Sequence, residues 1–234
     1  MRLKSSIYPE HFGLTADLPS VRKMPGRVPL PTWRGWSSSH KAIGRAFFET
    51  TLERDLLILL SADPNIVKFK VQPHALAYWS DEARPTKRSY VPDVVALDVS
   101  GQIVVLDAKA TIYASHEKWL SKERAIRRAY EKDHGASFVV MTERQIRQQP
   151  RLSNCQIMLT HRVPADLTGL TVVRGVIDQE VGGEVDIAAV SRAASSYGVE
   201  QARAFSVVMQ MALAGELKLD HSAPLSLATK VAYA

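Results

Sequence analysis

One run of residues gives the strongest signal for the fold, Tyr90-Val-Pro-Asp-Val-Val-Ala-Leu-Asp-Val-Ser-Gly-Gln-Ile-Val-Val-Leu-Asp-Ala-Lys109. It holds two runs rich in β-branched and aliphatic residues, and the dipeptide Ser100-Gly101 between them is typical of a tight turn. The stretch therefore predicts a β-hairpin, in which Pro92 restricts the first strand to a sheet edge or an irregular start. Because side chains alternate along a strand, Asp107 and Lys109 are expected on one face.

A hairpin with this turn brings Asp93 level with Asp107. Two carboxylates that meet there repel each other and raise each other's pKa unless a cation lies between them. A hard divalent ion such as Mg²⁺ or Mn²⁺ fits, because it prefers oxygen ligands and can activate water against a phosphodiester. Lys109 would add a cation against the phosphate. The motif alone is weak, and the alternative interpretation makes Asp93 a turn residue and Asp107 and Lys109 a cross-strand charge pair.

The segment before the hairpin offers a third carboxylate. Residues 40–60 are predicted to form a helix, with its N-cap among Ser37–Ser39 and an apolar face. Glu49 and Glu53 lie at i and i+4 and flank that face. We expect Glu53 to face the metal in preference to Glu49, since Glu53 lies directly beside the apolar positions.

The remaining segments predict an α/β core followed by a small helical tail. A helix is predicted over residues 115–135, and a short strand after it is expected to run parallel to an inner strand. Residues 1–36 indicate an extended arm, and residues 152–163 show little pattern, so a boundary is placed near Pro164. The tail indicates two helices and a strand, a winged-helix-like order, over residues 185–197, 199–214 and 215–220.

The charge of the chain is uneven. The 234 residues carry 30 Lys and Arg against 24 Asp and Glu, a net charge of +6, and residues 166–234 hold five basic against eight acidic residues. The positive charge is therefore concentrated in residues 1–165. It favours a polyanionic partner, although a solvated surface is an equal alternative. The residues singled out as DNA-binding are Arg27, Arg34, Lys41 and Arg45 near the start and Lys118, Lys122, Arg124, Arg128 and Lys132 on the predicted helix.

Composition excludes other classes of protein. A single cysteine, Cys155, excludes an internal disulfide and favours a reducing cytosol. No apolar run approaches the ~20 residues that a membrane-spanning helix needs. We therefore expect a cytoplasmic protein without a membrane partner.

Several spaced phrases together resemble a known family over residues 37–160. They are Phe48-Glu-Thr-Thr-Leu-Glu-Arg-Asp-Leu56, Asp63-Pro-Asn-Ile-Val67, Gln72-Pro73, Tyr90-Val-Pro-Asp93, Leu106-Asp-Ala-Lys109 and Val140-Met-Thr-Glu-Arg-Gln-Ile-Arg147. The set is similar to the nuclease domain of TnsA-like endonuclease subunits of heteromeric transposases, within the PD-(D/E)xK superfamily of the restriction-endonuclease-like fold. The tail resembles that family's winged-helix domain less distinctly.

The resemblance implies that Glu53, Asp93 and Asp107 bind Mg²⁺, with Mn²⁺ as a substitute, and that Lys109 is the catalytic lysine. Asp107 stands where many members of the family have Glu or Gln. In the family's pattern Gln72 lies near the active site, although an ordinary amide in a turn is the alternative.

The resemblance also implies a role and partners. A TnsA-like subunit cuts double-stranded DNA at the 5′ ends of a transposon, a DDE transposase (TnsB-like) cuts the 3′ ends, and an AAA+ ATPase (TnsC-like) contacts the tail. The expected organisation is an arm at 1–36, a nuclease domain at 37–163 and a winged-helix-like domain at 164–234. The alternatives are a stand-alone restriction or repair nuclease and a catalytically inactive DNA-binding subunit.

Overall fold

Strands and helices alternate along the chain in a mixed α/β order. The computed structural model describes residues 12–15, 19–21, 33–80, 85–163, 166–179 and 185–234. The strands are β1 (Gly35–Ser37), β2 (Ala46–Phe48), β3 (Ile66–Val71), β4 (Leu76–Trp79), β5 (Lys87–Tyr90), β6 (Val94–Asp98), β7 (Ile103–Ala108), β8 (Ser137–Met141), β9 (Val185–Asp186), β10 (Leu217–Leu219) and β11 (Lys230–Tyr233). The helices are α1 (Thr51–Ala62), α2 (Thr111–Ala114), α3 (Glu117–Arg128), α4 (Glu143–Ile146), α5 (Arg151–Thr160), α6 (Leu167–Gln179), α7 (Ile187–Ser195) and α8 (Gln201–Ala214).

The predicted hairpin is confirmed as the centre of a four-stranded mixed sheet in the order β3-β6-β7-β8. Strands β6 and β7 are antiparallel with Val94 opposite Leu106, and β8 runs parallel to β7, as expected. The inner residues of this sheet are fully buried, Val95 and Val105 among them, because apolar side chains cover both faces. The register places Asp93 and Asp107 opposite each other at the end of the hairpin.

Helix α1 begins at Thr51, so the prediction of a helix from near His40 is wrong in its first part. Residues 46–48 instead form β2, which pairs antiparallel with β1. Phe48 fits a helical apolar stripe with Leu52 and Leu56 by spacing, but Gly44 has a positive φ of 72° that breaks any helix there. The helix starts where the Thr50 side chain accepts a hydrogen bond from the Glu53 N–H at 3.2 Å.

Part of the predicted arm packs into the first unit's core instead of extending from it. Phe12 and Leu14 are buried in the cluster that contains Tyr130 and Phe138. Burying these two apolar side chains contributes several kcal/mol, about 1.5–3 kcal/mol each. The other described residues of the arm include Gly35, which lies in β1, and the segments 1–11, 16–18 and 22–32 lie outside the described residues.

The helix predicted after the hairpin is confirmed as α3, and the sequence pattern, which predicts Ile126 and Tyr130 on the inward side, agrees with their burial. It ends in a π-helical turn over Ala129–Asp133, and Gly135 follows with a φ of 65°. The wider turn changes the angular spacing of side chains. The sequence spacing of Arg124, Arg128 and Lys132 at i, i+4 and i+8 predicts one basic stripe, which is therefore regular only as far as Arg128.

The chain divides into one compact unit of residues 1–61 and 65–147 and a second of residues 62–64 and 148–234. This boundary lies earlier than the predicted one near Pro164. Arg147 closes the first unit, since its Nε donates to Asp55 Oδ2 on α1 at 2.7 Å. Helix α5 belongs to the second unit because the buried Asn154 side chain bonds the Ala223 carbonyl and the Leu225 N–H, each at 2.9 Å.

In its described residues, the second unit contains four helices and a small antiparallel sheet. The sheet order is β10-β11-β9, and α6, α7 and α8 pack on one another. Its core is built from fully buried residues of α7 and α8, including Ile187, Val207 and Met211. The predicted helices over 185–197 and 199–214 and the strand over 215–220 are confirmed within a few residues, whereas α5, α6 and β11 were not predicted.

None of the described helices is long and apolar enough to cross a bilayer.

Candidate active site

The two aspartates of the hairpin meet at the carboxyl end of β7. The Asp93 N–H donates to Asp107 Oδ1 at 3.3 Å, and the Ala108 N–H donates to Asp93 Oδ2 at 2.9 Å. Each carboxylate is therefore held by the backbone of the opposite strand. The antiparallel register and the turn at Gly101 produce this arrangement, as the hairpin pattern predicts.

Burial raises the pKa of both aspartates, and the charge of Asp107 raises that of Asp93 further. For Asp93 the pKa is well above its usual range because of burial first, then the charge of Asp107, then that of Glu53. Burial also raises the pKa of Asp107, against opposing effects of the Tyr90 hydroxyl and Lys109. Raised carboxylate pKa values in one small site are typical of functional centres, although structural networks also produce them.

Lys109 lies on the same face as Asp107, as predicted, with Nζ 3.8 Å from Asp107 Oδ2. Its backbone N–H donates to the Met141 carbonyl at 3.0 Å, which continues the pairing of β7 with β8. The ammonium group also lies over the Trp119 ring of α3, 4.0 Å from the ring centroid. The side chain is thus held between a carboxylate and an aromatic face.

Glu53 is close enough to Asp93 for its charge to raise the pKa of that group. Its own carboxylate stabilises the start of α1, because Oε2 accepts from the Glu49 N–H at 2.8 Å and Oε1 from the Thr50 hydroxyl at 3.1 Å. Glu49 precedes the helix, so the predicted shared helical face of Glu49 and Glu53 is wrong. The sequence signal for this cap is Thr50-x-x-Glu53, a capping-box spacing.

Gln72 is joined to the site through its backbone. Its N–H donates to the Asp93 carbonyl at 2.9 Å. It is the one non-glycine residue with positive φ (45°) in the described part of the chain, and its side chain is 98% buried with Oε1 unpaired there. A strained backbone and an unpaired buried oxygen are costly features that concentrate at functional sites.

Two aromatic residues of the site were not predicted as site residues. Tyr90 is buried beside Asp107, and burial and that charge raise the pKa of its hydroxyl, which makes no hydrogen bond of full geometry within the described residues. Trp119 holds Lys109, and its Nε1 donates to Glu123 Oε2 at 3.1 Å. The sequence predicts only that Trp119 is an apolar residue on the inward side of the helix. Its spacing from Lys109 does not predict that the two side chains meet.

The DNA-binding candidates on and after α3 are exposed to solvent. These residues are Lys118, Lys122, Arg124, Arg128 and Lys132. Of the candidates nearer the start, Arg45 is exposed and stacks over Trp36 at 5.6 Å, whereas Arg34 is half-buried. Lys41 is 92% buried, so in this conformation it does not lie on a surface that DNA could contact. Arg27 lies outside the described residues.

The oxygen donors suit a hard divalent cation, since a positive charge would relieve the repulsion that raises the pKa of Asp93. Asp93 and Asp107 are the two groups in position. Among the residues that the structure describes, no three Asp, Glu, His or Cys side chains form a metal-holding group. A third ligand from Glu53 requires its carboxylate to turn away from the α1 cap.

In comparisons with known proteins, no family model matches the chain and no curated protein matches it significantly.

Proposed function

We propose that the chain is a metal-dependent DNA endonuclease that cuts the 5′ ends of a transposon in concert with a DDE transposase during cut-and-paste transposition. The observation that carries this proposal is the meeting of Asp93, Asp107 and Lys109 at one end of the hairpin, with Glu53 in electrostatic reach. The resemblance of the spaced phrases to TnsA-like subunits supplies the substrate and the role.

The chain's own residues divide the work of phosphodiester hydrolysis. Asp93, Asp107 and Glu53 would hold Mg²⁺ or Mn²⁺, whose chemistry when bound is to activate water and to stabilise charge on phosphoryl oxygens. Lys109 offers its ammonium group to the negative charge that grows on the phosphate in the transition state. Backbone N–H groups keep the two aspartates in place before the substrate arrives.

The test is strand cleavage at transposon-end DNA by the full chain together with the transposase. Asp93→Ala and Lys109→Ala are each expected to abolish 5′-end cutting while complex assembly and 3′-end cutting survive. Gln102→Ala, an exposed change on the same hairpin, is the matched control and should cut normally. Retained 5′-end cleavage by either active-site variant would overturn the proposal.

The second unit supports the part of the proposal that concerns partners. Helices α6, α7 and α8, the short strand β9 and the paired strands β10 and β11 are compatible with a winged helix. Its residues carry seven Lys and Arg against nine Asp and Glu. A mildly acidic module suits a protein partner such as an AAA+ ATPase (TnsC-like) better than a DNA groove. We place the protein in the cytoplasm, at the nucleoid when active.

One observation favours a second candidate, a DNA-binding subunit that does not cut. The Glu53 carboxylate makes two hydrogen bonds in the α1 cap, which compete with any metal for its oxygens. Calorimetry with Mn²⁺ separates the two candidates. The nuclease predicts binding that Asp93→Asn abolishes, whereas the inactive subunit predicts DNA binding without Mn²⁺ binding. Cutting of plain plasmid by the purified chain would instead indicate a stand-alone nuclease.

A further inference from the structure

Two lysines, one from β7 and one from α3, lie on the same pair of aromatic rings. The rings of Tyr90 and Trp119 are 6.4 Å apart between centroids. Lys122 Nζ lies 5.0 Å from the Tyr90 centroid and 5.6 Å from that of Trp119, which also carries Lys109 at 4.0 Å. The two ammonium groups are therefore less than 10 Å apart on one aromatic platform.

The charge of Lys122 reaches the carboxylates of the site. It is one of the charges that lower the pKa of Asp107, which lies at the end of β7 below the platform. Lys122 is exposed at the same time, so a phosphate can approach it from solvent. Lys122 is therefore both near the carboxylates and exposed, unlike a basic residue that lies only on the outer face of the helix.

Lys109 and Lys122 bring two positive charges to the same place. Lys109 lies 3.8 Å from Asp107, and Lys122 adds a second positive charge to a site already lined by aromatic faces. Each strand of a duplex presents one phosphate per about 3.4 Å of helix axis. A span below 10 Å therefore lets the two lysines contact neighbouring phosphates of one strand.

We propose that Lys122 is a second phosphate-binding residue of the active site, which contacts a phosphate next to the one that is cut. The inference rests on the proposed function, because the scissile phosphate is assigned to Asp93, Asp107 and Lys109. The aromatic faces of Tyr90 and Trp119 keep the Lys122 ammonium group above the site. The phosphate chain of DNA then runs along β7 toward the exposed face of α3.

Binding of a short duplex to the full chain tests this inference without any cutting. The measurement is fluorescence anisotropy in the Asp93→Asn background, with Lys122→Ala compared to Arg124→Ala. Arg124 is the matched control, since it is an exposed cation of the same helix two positions on, on a different face. Lys122→Ala should weaken binding about tenfold and Lys122→Arg should restore most of it, whereas Arg124→Ala changes binding less.

A set of duplexes, each with one neutral methylphosphonate near the 5′ end of the transposon, locates the contact. At one position next to the scissile phosphate, the methylphosphonate should weaken DNA binding by the parent protein. The same duplex should not weaken DNA binding by Lys122→Ala any further. Equal binding by Lys122→Ala and the parent overturns the inference. So does a defect of Lys122→Ala that persists at every methylphosphonate position.

The cleavage reaction shows whether a failure belongs to Lys122 or to the proposed function. In the complex with the transposase and Mg²⁺, Lys122→Ala should cut about tenfold more slowly at saturating DNA. If the wild-type chain cuts nothing, the proposed nuclease function fails, while the binding measurements still decide whether Lys122 holds a phosphate. If the wild-type chain cuts and Lys122→Ala cuts equally fast, the Lys122 contact alone is wrong.

Discussion

The two buried aspartates at the hairpin end lower the stability of the first unit when they are charged. Asp93 and Asp107 both have a raised pKa in the folded chain. The folded state therefore binds their protons more tightly than the unfolded state does. The stability linked to these protons is fully present below the unfolded pKa and is lost as the pH rises through the folded pKa.

This linkage predicts that Asp93→Asn stabilises the protein at pH 7.5. Asparagine keeps an oxygen to accept the Ala108 N–H but carries no charge to bury. Each unit of pKa difference corresponds to about 1.4 kcal/mol, so the unfolding temperature should rise by several degrees. The gain should shrink at pH 4, where the wild-type aspartate is protonated. An unchanged or lower unfolding temperature at pH 7.5, measured by circular dichroism, would contradict the linkage.

Backbone strain at Gln72 is a second cost at the scale of one residue. Its φ of 45° costs about 1–2 kcal/mol for a residue with a Cβ, and glycine pays none of it. Gln72→Gly should therefore be at least as stable toward urea as Gln72→Ala, although glycine usually loses about 0.5–1 kcal/mol to alanine. The exposed Gln102 is the control position. At position 102 the alanine variant should be more stable than the glycine variant. If the alanine variant is also the more stable one at position 72, there is no strain at Gln72.

Among the elements, α3 supports the Lys109 side chain from one side. Trp119 contacts the Lys109 ammonium group, Glu123 accepts from the Trp119 indole, and Arg127 Nη2 bonds Glu123 Oε1 at 2.8 Å. The helix thus fixes the orientation of a side chain on β7 through an aromatic ring. Trp119 is a positioning residue in this arrangement, because it contacts Lys109 and not the reacting atoms.

Trp119→Leu is expected to slow strand cleavage about tenfold, since leucine fills space but offers no aromatic face to the lysine. Trp119→Phe keeps such a face and should recover most of the rate. The two variants should bind transposon-end DNA with similar affinity, because Trp119 is not proposed to contact DNA and Lys122 keeps the nearer face of Tyr90, 5.0 Å from its ring centroid. Single-turnover cleavage beside a binding isotherm measures both quantities. An equal loss in Trp119→Leu and Trp119→Phe would indicate a packing role only.

Elements with strong local signals were predictable from the sequence. The hairpin of β6 and β7 combines two aliphatic runs with a Ser-Gly turn, and its register alone brings Asp93 opposite Asp107. The start of α1 was not predicted because Phe48 lies four residues before Leu52 and so extends the apolar stripe of the helix, while the local cap at Thr50 decides the boundary. The start of a helix can depend on a single hydrogen bond, which the spacing of apolar residues does not predict.

Helix α6 could not be predicted for a different physical reason. Its sequence, Leu-Thr-Gly-Leu-Thr-Val-Val-Arg-Gly-Val-Ile-Asp-Gln, is rich in β-branched residues and glycine, which have low helix propensity. Burial of Val173, Val176 and Ile177 supplies the stabilisation that local propensity lacks. The contact of Lys109 with Trp119 was equally out of reach, since it joins two elements whose packing no short motif encodes.

At the scale of the whole molecule, the net charge of +6 separates along the two units. The first unit holds 23 Lys and Arg against 15 Asp and Glu, and the second holds seven against nine. The acidic centre of Asp93, Asp107 and Glu53 thus lies within the basic unit, whose net charge favours a polyanionic partner. The second unit carries no such excess.

This division predicts which charges contribute to DNA affinity. Arg128 on α3 and Arg192 on α7 are both exposed arginines, one in each unit. Arg128→Ala should reduce the slope of log affinity against log salt by about one, because one phosphate contact and its counterion are lost. Arg192→Ala should leave both affinity and slope unchanged. Anisotropy titrations of the full chain between low and moderate salt measure both values, and a slope that falls only for Arg192→Ala would place DNA on the second unit.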